Sequence, residues 1–445
     1  MVTILWFGLA LVIPALLLLA GSAPFLILPT IVYGFGLGLL TWLDRRSAGG
    51  PDQFRIARRH DQKLSLGVSN TITLQIETRT RRAFALTLQD EPPLDFIVID
   101  SATATLMAAP DQSLEHSYHV LPRQRGDYEF GNINLRWTGP LRLYVRQTTL
   151  PAIESVKVYP NISEVRRYEL LVRRHELFEM GLRTVRQRDE GTVFESLRDY
   201  TPDDPYRAIN WKATARRGKP ISTVYEPERN QRIAIALDVG RMMRSAIRVR
   251  DTSGIALNMA KVDFVINSIL LLSYVASRKG DQVGLLVFAD DIKQFVPPEA
   301  GSAQFHKLLE VMYALGSEPV EADYARAINY LRAKQKKRAL VVLFTDLGGA
   351  RATDTLRAYM PRLAPQHLPL LVTIRDPSLD REAEQTIVDS DTVYRRIVAE
   401  QLIEERRLLL DYLSRSGVLT LDVDADHLSA SVVNRYLQVK GRLAV

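Results

Sequence analysis

Two aspartates stand where carboxylate chemistry could take place in this chain. Asp238 ends the apolar segment 232–238, and Asp346 follows the apolar segment 339–344. Both segments have the character of buried strands, and ligand sites in open α/β sheets form at the strands' carboxyl ends, so the two side chains could approach one another. Carboxylate oxygens suit a hard cation such as Mg²⁺, which Asp323 and water molecules could help to hold weakly.

The other residues that enzymes use are poorly represented. The chain has no cysteine, which excludes disulfides, thiolate metal sites and a cysteine nucleophile. It also has no Gly-x-Ser-x-Gly sequence, Walker loop or zincin motif. We therefore predict a protein that is not an enzyme and needs no cofactor, with metal-assisted hydrolysis at Asp238 and Asp346 as the alternative.

A second group of polar residues lies in residues 191–225, which we call the signature segment. Its charges are dense and of both signs, and they surround two large aromatic residues. The candidate interaction residues are Glu195, Arg198, Asp199, Tyr200, Asp204, Arg207, Asn210 and Trp211. Asp204 followed by Pro205 predicts a helix from 205 to about 215. Such a segment serves either as a clamp between domains, tied by ion pairs, or as a recognition surface for a partner.

The elements that would position these residues change along the chain. Residues 232–445 alternate strands with helices, including a long apolar helix over 251–277, which predicts a mostly parallel sheet covered by helices on both faces. Residues 52–160 contain short alternating segments separated by turn residues, typical of an all-β, sandwich-like domain. Residues 161–231 then form a basic connector together with the signature segment.

The connector allows two interpretations. Residues 162–188 are rich in arginine with interspersed apolar residues, which suits contact with acidic lipid or nucleic acid. The alternative is an ordinary connector with a solvated basic face. Because no nucleic-acid-binding module is recognisable, we expect no nucleic-acid partner.

The N-terminal residues 1–46 contain two apolar runs, 3–20 and 24–43, each close to the length that a bilayer requires. They predict a hairpin of two transmembrane helices rather than a cleaved signal peptide, because no basic region precedes the first run and the second follows at once. Arg45 and Arg46 come directly after the second run. The excess of positive charge there places the remaining domains in the cytoplasm, against the plasma (inner) membrane.

The signature segment resembles that of the family called domain of unknown function 58. The resemblance rests on residues 194–200, Asp204, Arg207, 209–211, 215–216, 225–226 and 228–229, and it departs from the family at Asp203, where members typically carry glycine. It implies a β domain between membrane and signature segment. It also implies a partner, a MoxR-type AAA ATPase, and a role in assembling or maturing other protein complexes.

The C-terminal pattern resembles a von Willebrand factor A domain, a fold often built around a metal-ion-dependent adhesion site. That site uses Asp-x-Ser-x-Ser after the first strand, a later threonine and a final aspartate. Here the first motif is Asp238-Val239-Gly240-Arg241-Met242, so both serines are replaced, and the threonine position falls at Ala322. The resemblance implies a degenerate site in which Arg241 neutralises Asp238, and other von Willebrand A proteins as further partners. We predict a membrane-anchored scaffold with a metal-free interaction surface, with a metal-dependent adhesion-type site at Asp238 and Asp346 as the alternative.

Overall fold

The computed structural model describes residues 1–443 except 22, 80–82, 110–112, 162, 175–192, 202–203, 205, 227–230, 251–253, 349 and 387–388. The chain divides into two compact units. The first is Met1–Tyr159, and the second is Pro160–Arg250 with Gly254–Val445.

The first unit begins with apolar helices, which are Ile4–Ala10 (α1), Val12–Ala20 (α2) and Ile27–Ser47 (α3). With the preceding 3-10 turn, α3 forms a stretch of 24 residues, Pro24–Ser47, that is long and apolar enough to cross a membrane, and Ile4–Ala20 is a shorter apolar stretch. The first apolar run is interrupted at Leu11. Pro14 accounts for this, because it has no amide to donate to the carbonyl of Ala10 and its ring crowds that carbonyl.

Eleven strands follow in the described part of the first unit. They are Phe54–Arg59 (β1), Lys63–Ser65 (β2), Asn70–Thr78 (β3), Phe84–Asp90 (β4), Phe96–Val98 (β5), Thr103–Ala108 (β6), Ser113–Pro122 (β7), Gly126–Phe130 (β8), Ile133–Thr138 (β9), Val145–Leu150 (β10) and Glu154–Tyr159 (β11). Their sheet orders are β1-β3-β7-β5, β10-β9-β4-β6 and β2-β11-β8. The alternation predicted in β3 buries Ile72, Leu74 and Ile76. A β-rich domain is thereby confirmed.

The carboxylate of Asp44, near the end of α3, joins the apolar helices to the loop between β9 and β10. Its Oδ1 atom accepts a hydrogen bond from the backbone amide of Leu141 at 2.7 Å. Its Oδ2 atom accepts from the amides of Leu143 and Tyr144, both at 2.9 Å. Asp44 is fully buried. A charged acceptor with three amide donors fixes the end of α3 onto the β-rich part of the same unit.

The second unit opens with Ser163–Arg174 (α4), Val193–Asp199 (β12), Trp211–Arg217 (α5), Ile221–Glu226 (β13), Arg232–Asp238 (β14), Ala246–Arg250 (β15), Ala256–Ala260 (β16) and Lys261–Arg278 (α6). It continues with Gln282–Phe288 (β17), Ile292–Glu299 (β18), Ser302–Ala314 (α7), Tyr324–Lys334 (α8), Leu340–Thr345 (β19), Ala350–Tyr359 (α9), Leu368–Arg375 (β20), Pro377–Glu384 (α10), Ser390–Arg415 (α11), Leu419–Asp424 (β21) and Leu428–Leu443 (α12).

Six of these strands form one mixed sheet in the order β18-β17-β14-β19-β20-β21. Only the edge strand β18 is antiparallel to its neighbour among the pairs of this sheet; the other pairs run parallel. The chain enters at the central strand β14, builds outwards to β18, and then crosses to β19 on the other side of β14. The boundary between β14 and β19 is therefore the topological switch point, where ligand clefts of open α/β sheets lie.

Two predicted helix starts are wrong. The helix expected over 251–277 begins only at Lys261, because residues 256–260 form β16 and pair with β15. Leu257 and Met259 are buried there and Asn258 is exposed, so the period is two and not 3.6. The helix expected from Pro205 begins at Trp211, after a 3-10 turn at Tyr206–Ala208.

The apolar face of the basic connector is covered within its own unit. Val165, Tyr168 and Leu171 of α4 are buried. The Tyr168 ring meets the Tyr274 ring of α6 edge to face, with centroids 6.1 Å apart. In the described part of the connector this face is thus occupied by protein and is not open to lipid. The remainder of the connector, residues 175–192, lies outside the described residues.

Candidate functional site

Asp238 and Asp346 lie on either side of the switch point, at the carboxyl ends of the adjacent strands β14 and β19. Both are almost completely buried, with 1% and 3% of their surfaces exposed. A cleft of about 520 Å³ opens beside Asp238. Its lining includes Asp238, Gly240, Met242, Glu321, Asp323 and Tyr324.

Uncharged donors surround Asp238. Its Oδ1 atom accepts the amide of Gly240 at 2.7 Å. Its Oδ2 atom accepts the hydroxyls of Thr345 at 2.7 Å and Tyr324 at 2.9 Å. Burial raises the pKa of Asp238 and the nearby charge of Asp346 adds to this, while the three hydrogen bonds oppose it. The side chain is therefore held as the acceptor of a closed hydrogen-bond cluster.

Asp346, in contrast, is held by two cations. Its Oδ2 atom accepts a hydrogen bond from Lys261 Nζ at 2.7 Å, and its Oδ1 atom accepts one from Arg406 Nη1 at 3.2 Å. Lys261 also lies 3.4 Å from Asp376, and Arg406 lies 2.6 Å from Asp422. These ion pairs connect the ends of β19, β20 and β21 with the first residue of α6 and the middle of α11.

Arg241 and Asp323, the other two residues implicated by the sequence, have partners elsewhere. Arg241 was expected to neutralise Asp238, but it is exposed and its guanidinium pairs with Glu321 at 3.2 Å. Asp323 lines the cleft and is the N-cap of α8, where its Oδ1 accepts the amide of Arg326 at 2.9 Å. Asp323 is thus already engaged in a structural role.

Sequence reasoning missed four residues of this site, which are Lys261, Tyr324, Thr345 and Arg406. Lys261 carried a signal in the sequence, because it is a charged residue within a strongly apolar run. In the structure it is 4% exposed. A lone buried lysine needs a carboxylate partner. Tyr324 and Arg406 gave no comparable signal, because each reaches the site from a helix distant in sequence.

In the signature segment, β12 and β13 pair as an antiparallel hairpin, with Asp199 opposite Ile221. Arg198 Nη2 donates to Asp204 Oδ1 at 2.5 Å, and Asp204 Oδ2 accepts the Thr201 amide at 3.1 Å. This amide and the guanidinium hold the pKa of Asp204 below its usual range. Asp204 was expected to cap a helix and instead closes this turn. The side chains of Glu195 and Arg207 lie outside the described residues.

Asn210 is the residue that caps α5. Its Oδ1 accepts the amide of Ala213 at 3.0 Å, and its own amide donates to the Ile221 carbonyl at 2.8 Å. This capping directs Trp211, the first residue of α5, into solvent. Tyr200 is half-buried and its backbone amide donates to the Pro220 carbonyl, whereas the Trp211 side chain is exposed.

Comparison with known proteins gives a family without an assigned activity. Residues 196–392 match the family model described as "Protein of unknown function DUF58". The "Uncharacterized protein YeaD" of Bacillus subtilis is 25% identical over 218 residues, covering 47% of this chain and 52% of that protein. The "Uncharacterized protein Rv1480" of Mycobacterium tuberculosis is 24% identical over 181 residues, covering 40% and 53%. The chain therefore spans about half the length of the curated relatives it matches.

Among solved structures, the "PilB minor pilin from Streptococcus sanguinis" aligns with 81% of this chain and 87% of its own length. The TM-score is 0.33 and the sequence identity 9%. A similarity this low carries no argument about fold or function.

Proposed function

We propose that this chain, whose residues 196–392 match the DUF58 family model, is a membrane-anchored scaffold that faces the cytoplasm and binds an acidic partner protein. The partner proposed from the family resemblance is a MoxR-type AAA ATPase, with other von Willebrand A proteins as companions, in the assembly or maturation of further proteins. The observation that carries the proposal is an exposed aromatic and basic surface at α5, which we call the α5 surface.

Two aromatic rings form the centre of the α5 surface. Tyr206 is 70% exposed and Trp211 is 59% exposed. Their rings meet edge to face with centroids 5.6 Å apart. Tyrosine and tryptophan dominate the binding energy of many protein interfaces, because they bury a large area with little loss of rotamer freedom.

Positive charge surrounds the aromatic pair. Lys212, Arg216, Arg217 and Lys219 are all exposed, and residues 211–220 contain no acidic side chain. A partner that covers this surface must offer carboxylates, and the association must weaken as salt increases. Protein is favoured over lipid, because α5 has only seven residues, while helices that lie in a membrane interface are generally much longer.

The von Willebrand A-like architecture of residues 232–445 is part of the proposal. It is supported by the sheet order centred on β14 and by the two aspartates at the strand ends. Two membrane spans are likewise proposed. Pro24–Ser47 is about 36 Å long and Ile4–Ala20 about 26 Å at the helical rise, against a hydrocarbon core of ~30 Å. Arg45 and Arg46 in the last turn of α3 support the cytoplasmic orientation.

The test is co-purification of the full chain in detergent from its native cells, with and without ATP, read by mass spectrometry. We compare the wild type with the double variant Tyr206→Ala/Trp211→Ala. The matched control is Tyr394→Ala/Ile397→Ala, which removes two exposed apolar side chains from α11.

We expect an AAA ATPase with the wild type and the α11 control, and its loss with the α5 variant. Recovery should also fall as salt is raised. Equal recovery with the α5 variant would refute the α5 surface as the docking site. If no ATPase appears and the α5 variant instead loses flotation with anionic vesicles, the surface binds lipid and the protein-scaffold proposal fails.

A further inference from the structure

The carboxyl edge of the sheet does not fit the divalent cation that the adhesion-site resemblance would place there. Such a site needs hydroxyl oxygens from positions 240 and 242. At Gly240 a Cβ atom would lie 2.9 Å from the Val320 carbonyl oxygen and 3.2 Å from the Ala322 amide, so the backbone leaves no room for serine. At the second position, the Met242 side chain packs over Gly348.

The acceptor atoms are also already used. Asp238 Oδ2 receives two hydroxyl donors, and each oxygen of Asp346 receives a charged donor. Mg²⁺ prefers roughly six oxygens in octahedral order. Among the described residues no group of three or more His, Cys, Asp or Glu side chains could hold a metal ion.

We infer that Lys261 and Arg406 together replace the divalent cation at this edge. One ammonium and one guanidinium carry the same two positive charges as Mg²⁺, and both contact Asp346, the carboxylate that corresponds to the final ligand of the adhesion site. The Lys261 side chain is only 5% exposed and that of Arg406 only 11%. A buried carboxylate without a cation would be costly, so these two side chains supply the compensation that a metal would provide.

The replacement changes how the edge behaves. A bound ion can dissociate, whereas these cations are covalently part of the chain. Arg406 also donates to the Ile374 carbonyl at 2.7 Å and to Asp422, and Lys261 reaches Asp376. The ends of β19, β20 and β21 are thus held together by internal charge. The edge keeps one arrangement whether or not Mg²⁺ or Ca²⁺ is present, and this holds independently of which partner binds the α5 surface.

The experiment uses the purified full chain in detergent and compares wild type, Lys261→Met and Lys440→Met. Lys440 is the matched control, because its ammonium is also buried and lies 2.6 Å from a buried carboxylate, that of Asp281. Thermal unfolding is measured in EDTA and with 1 µM to 5 mM Mn²⁺. Binding of Mn²⁺ to the wild type is measured separately by electron paramagnetic resonance, which requires no variant to fold.

We expect the wild type to show the same Tm in EDTA and Mn²⁺ and no stoichiometric Mn²⁺ signal. Both variants should lose roughly 5–15 °C in Tm, because each leaves a buried carboxylate short of a cation. Lys261→Met frees oxygens of two carboxylates, Asp346 and Asp376, that contact the ammonium in the wild type, so millimolar Mn²⁺ should restore part of this loss. Lys440→Met frees only the carboxylate of Asp281, and Mn²⁺ should restore none of the loss there. Saturable binding of one Mn²⁺ by the wild type, or a wild-type Tm that falls in EDTA, would overturn the inference. Equal Mn²⁺ responses in the two variants would also overturn it.

Discussion

The buried carboxylate of Asp44 should control the stability of the junction between the apolar helices and the β-rich part of the first unit. The perturbations are Asp44→Ala and Asp44→Asn. Alanine removes all three hydrogen bonds to the amides of Leu141, Leu143 and Tyr144, at 2.7, 2.9 and 2.9 Å. Asparagine can orient its oxygen towards Leu143 and Tyr144 and keep those two bonds to a neutral acceptor. Its NH2 group then faces the Leu141 amide, so the bond from Leu141 is lost.

The magnitude follows from the number of bonds lost. A hydrogen bond to a charged group contributes about 1.5–3 kcal/mol. Asp44→Asn should therefore lower the free energy of local opening by at least about 1.5–3 kcal/mol, and Asp44→Ala by about 4.5 kcal/mol or more. Since about 1.4 kcal/mol is a factor of ten, amide exchange at Leu141 should accelerate at least ~10-fold in the asparagine variant.

The assay is hydrogen–deuterium exchange with mass spectrometry on the full chain in detergent, following peptides that cover residues 139–145. Asp52→Asn is the control, because it makes the same chemical change at an exposed position. Gly139→Ala is a second route to the same opening, since its Cβ would lie 2.5 Å from Asp44 Cγ. If Asp44→Ala leaves exchange over 139–145 within about threefold of the wild type, the carboxylate does not hold this junction and the reasoning fails.

Two further predictions concern pH and membrane orientation. His367 is 3% exposed, and burial together with the charge of Arg332 lowers its pKa. The folded state therefore holds the neutral ring, and His367 makes its full contribution to the free energy of unfolding above the unfolded pKa of about 6.5. This contribution is lost as the pH falls below that value. In urea unfolding, the free energy of unfolding of His367→Leu should fall less between pH 7.5 and 5.5 than that of the wild type. His306→Gln, at an exposed position, should behave like the wild type. An unchanged pH dependence in His367→Leu would contradict this. The absence of cysteine in the sequence permits single labels: Gly21→Cys should react with an impermeant maleimide in intact cells and Lys212→Cys only after lysis, and the reverse pattern would refute the proposed orientation.

Much of the second unit's architecture was predictable because long apolar segments ending in polar residues identify buried parallel strands. This is why the sequence alone places Asp238 and Asp346 at strand ends. The hairpin of β15 and β16 was not predictable in the same way. The apolar residues of β16 are followed directly by those of α6, so an alternating pattern of only five residues is indistinguishable from the first turns of the helix.

The same error concealed the nature of the candidate site. With the helix begun at Asp251, Lys261 becomes an internal residue of a long apolar helix and has no reason to face the sheet edge. With α6 begun at Lys261, the ammonium projects from the first residue of the helix, directly after β16, and reaches Asp346. Moving the start of this helix by ten residues, from Asp251 to Lys261, therefore explains the buried lysine as a counter-ion of the site.

The α5 surface shows a different limit of sequence reasoning. The pattern of residues 204–205 satisfies the rules for a helix start, but the Asp204 carboxylate instead accepts hydrogen bonds from Arg198 and the Thr201 amide. Asn210, which pairs with the Ile221 backbone, takes over the cap six residues later. Because the cap determines the first helical residue, it also determines that Trp211 stands beside Tyr206 and not inside a regular helix. The position of the exposed aromatic pair thus depends on Asn210, and not Asp204, being the residue that caps the helix. The pairing of Asn210 with Ile221, eleven residues later, is not visible in the local sequence pattern.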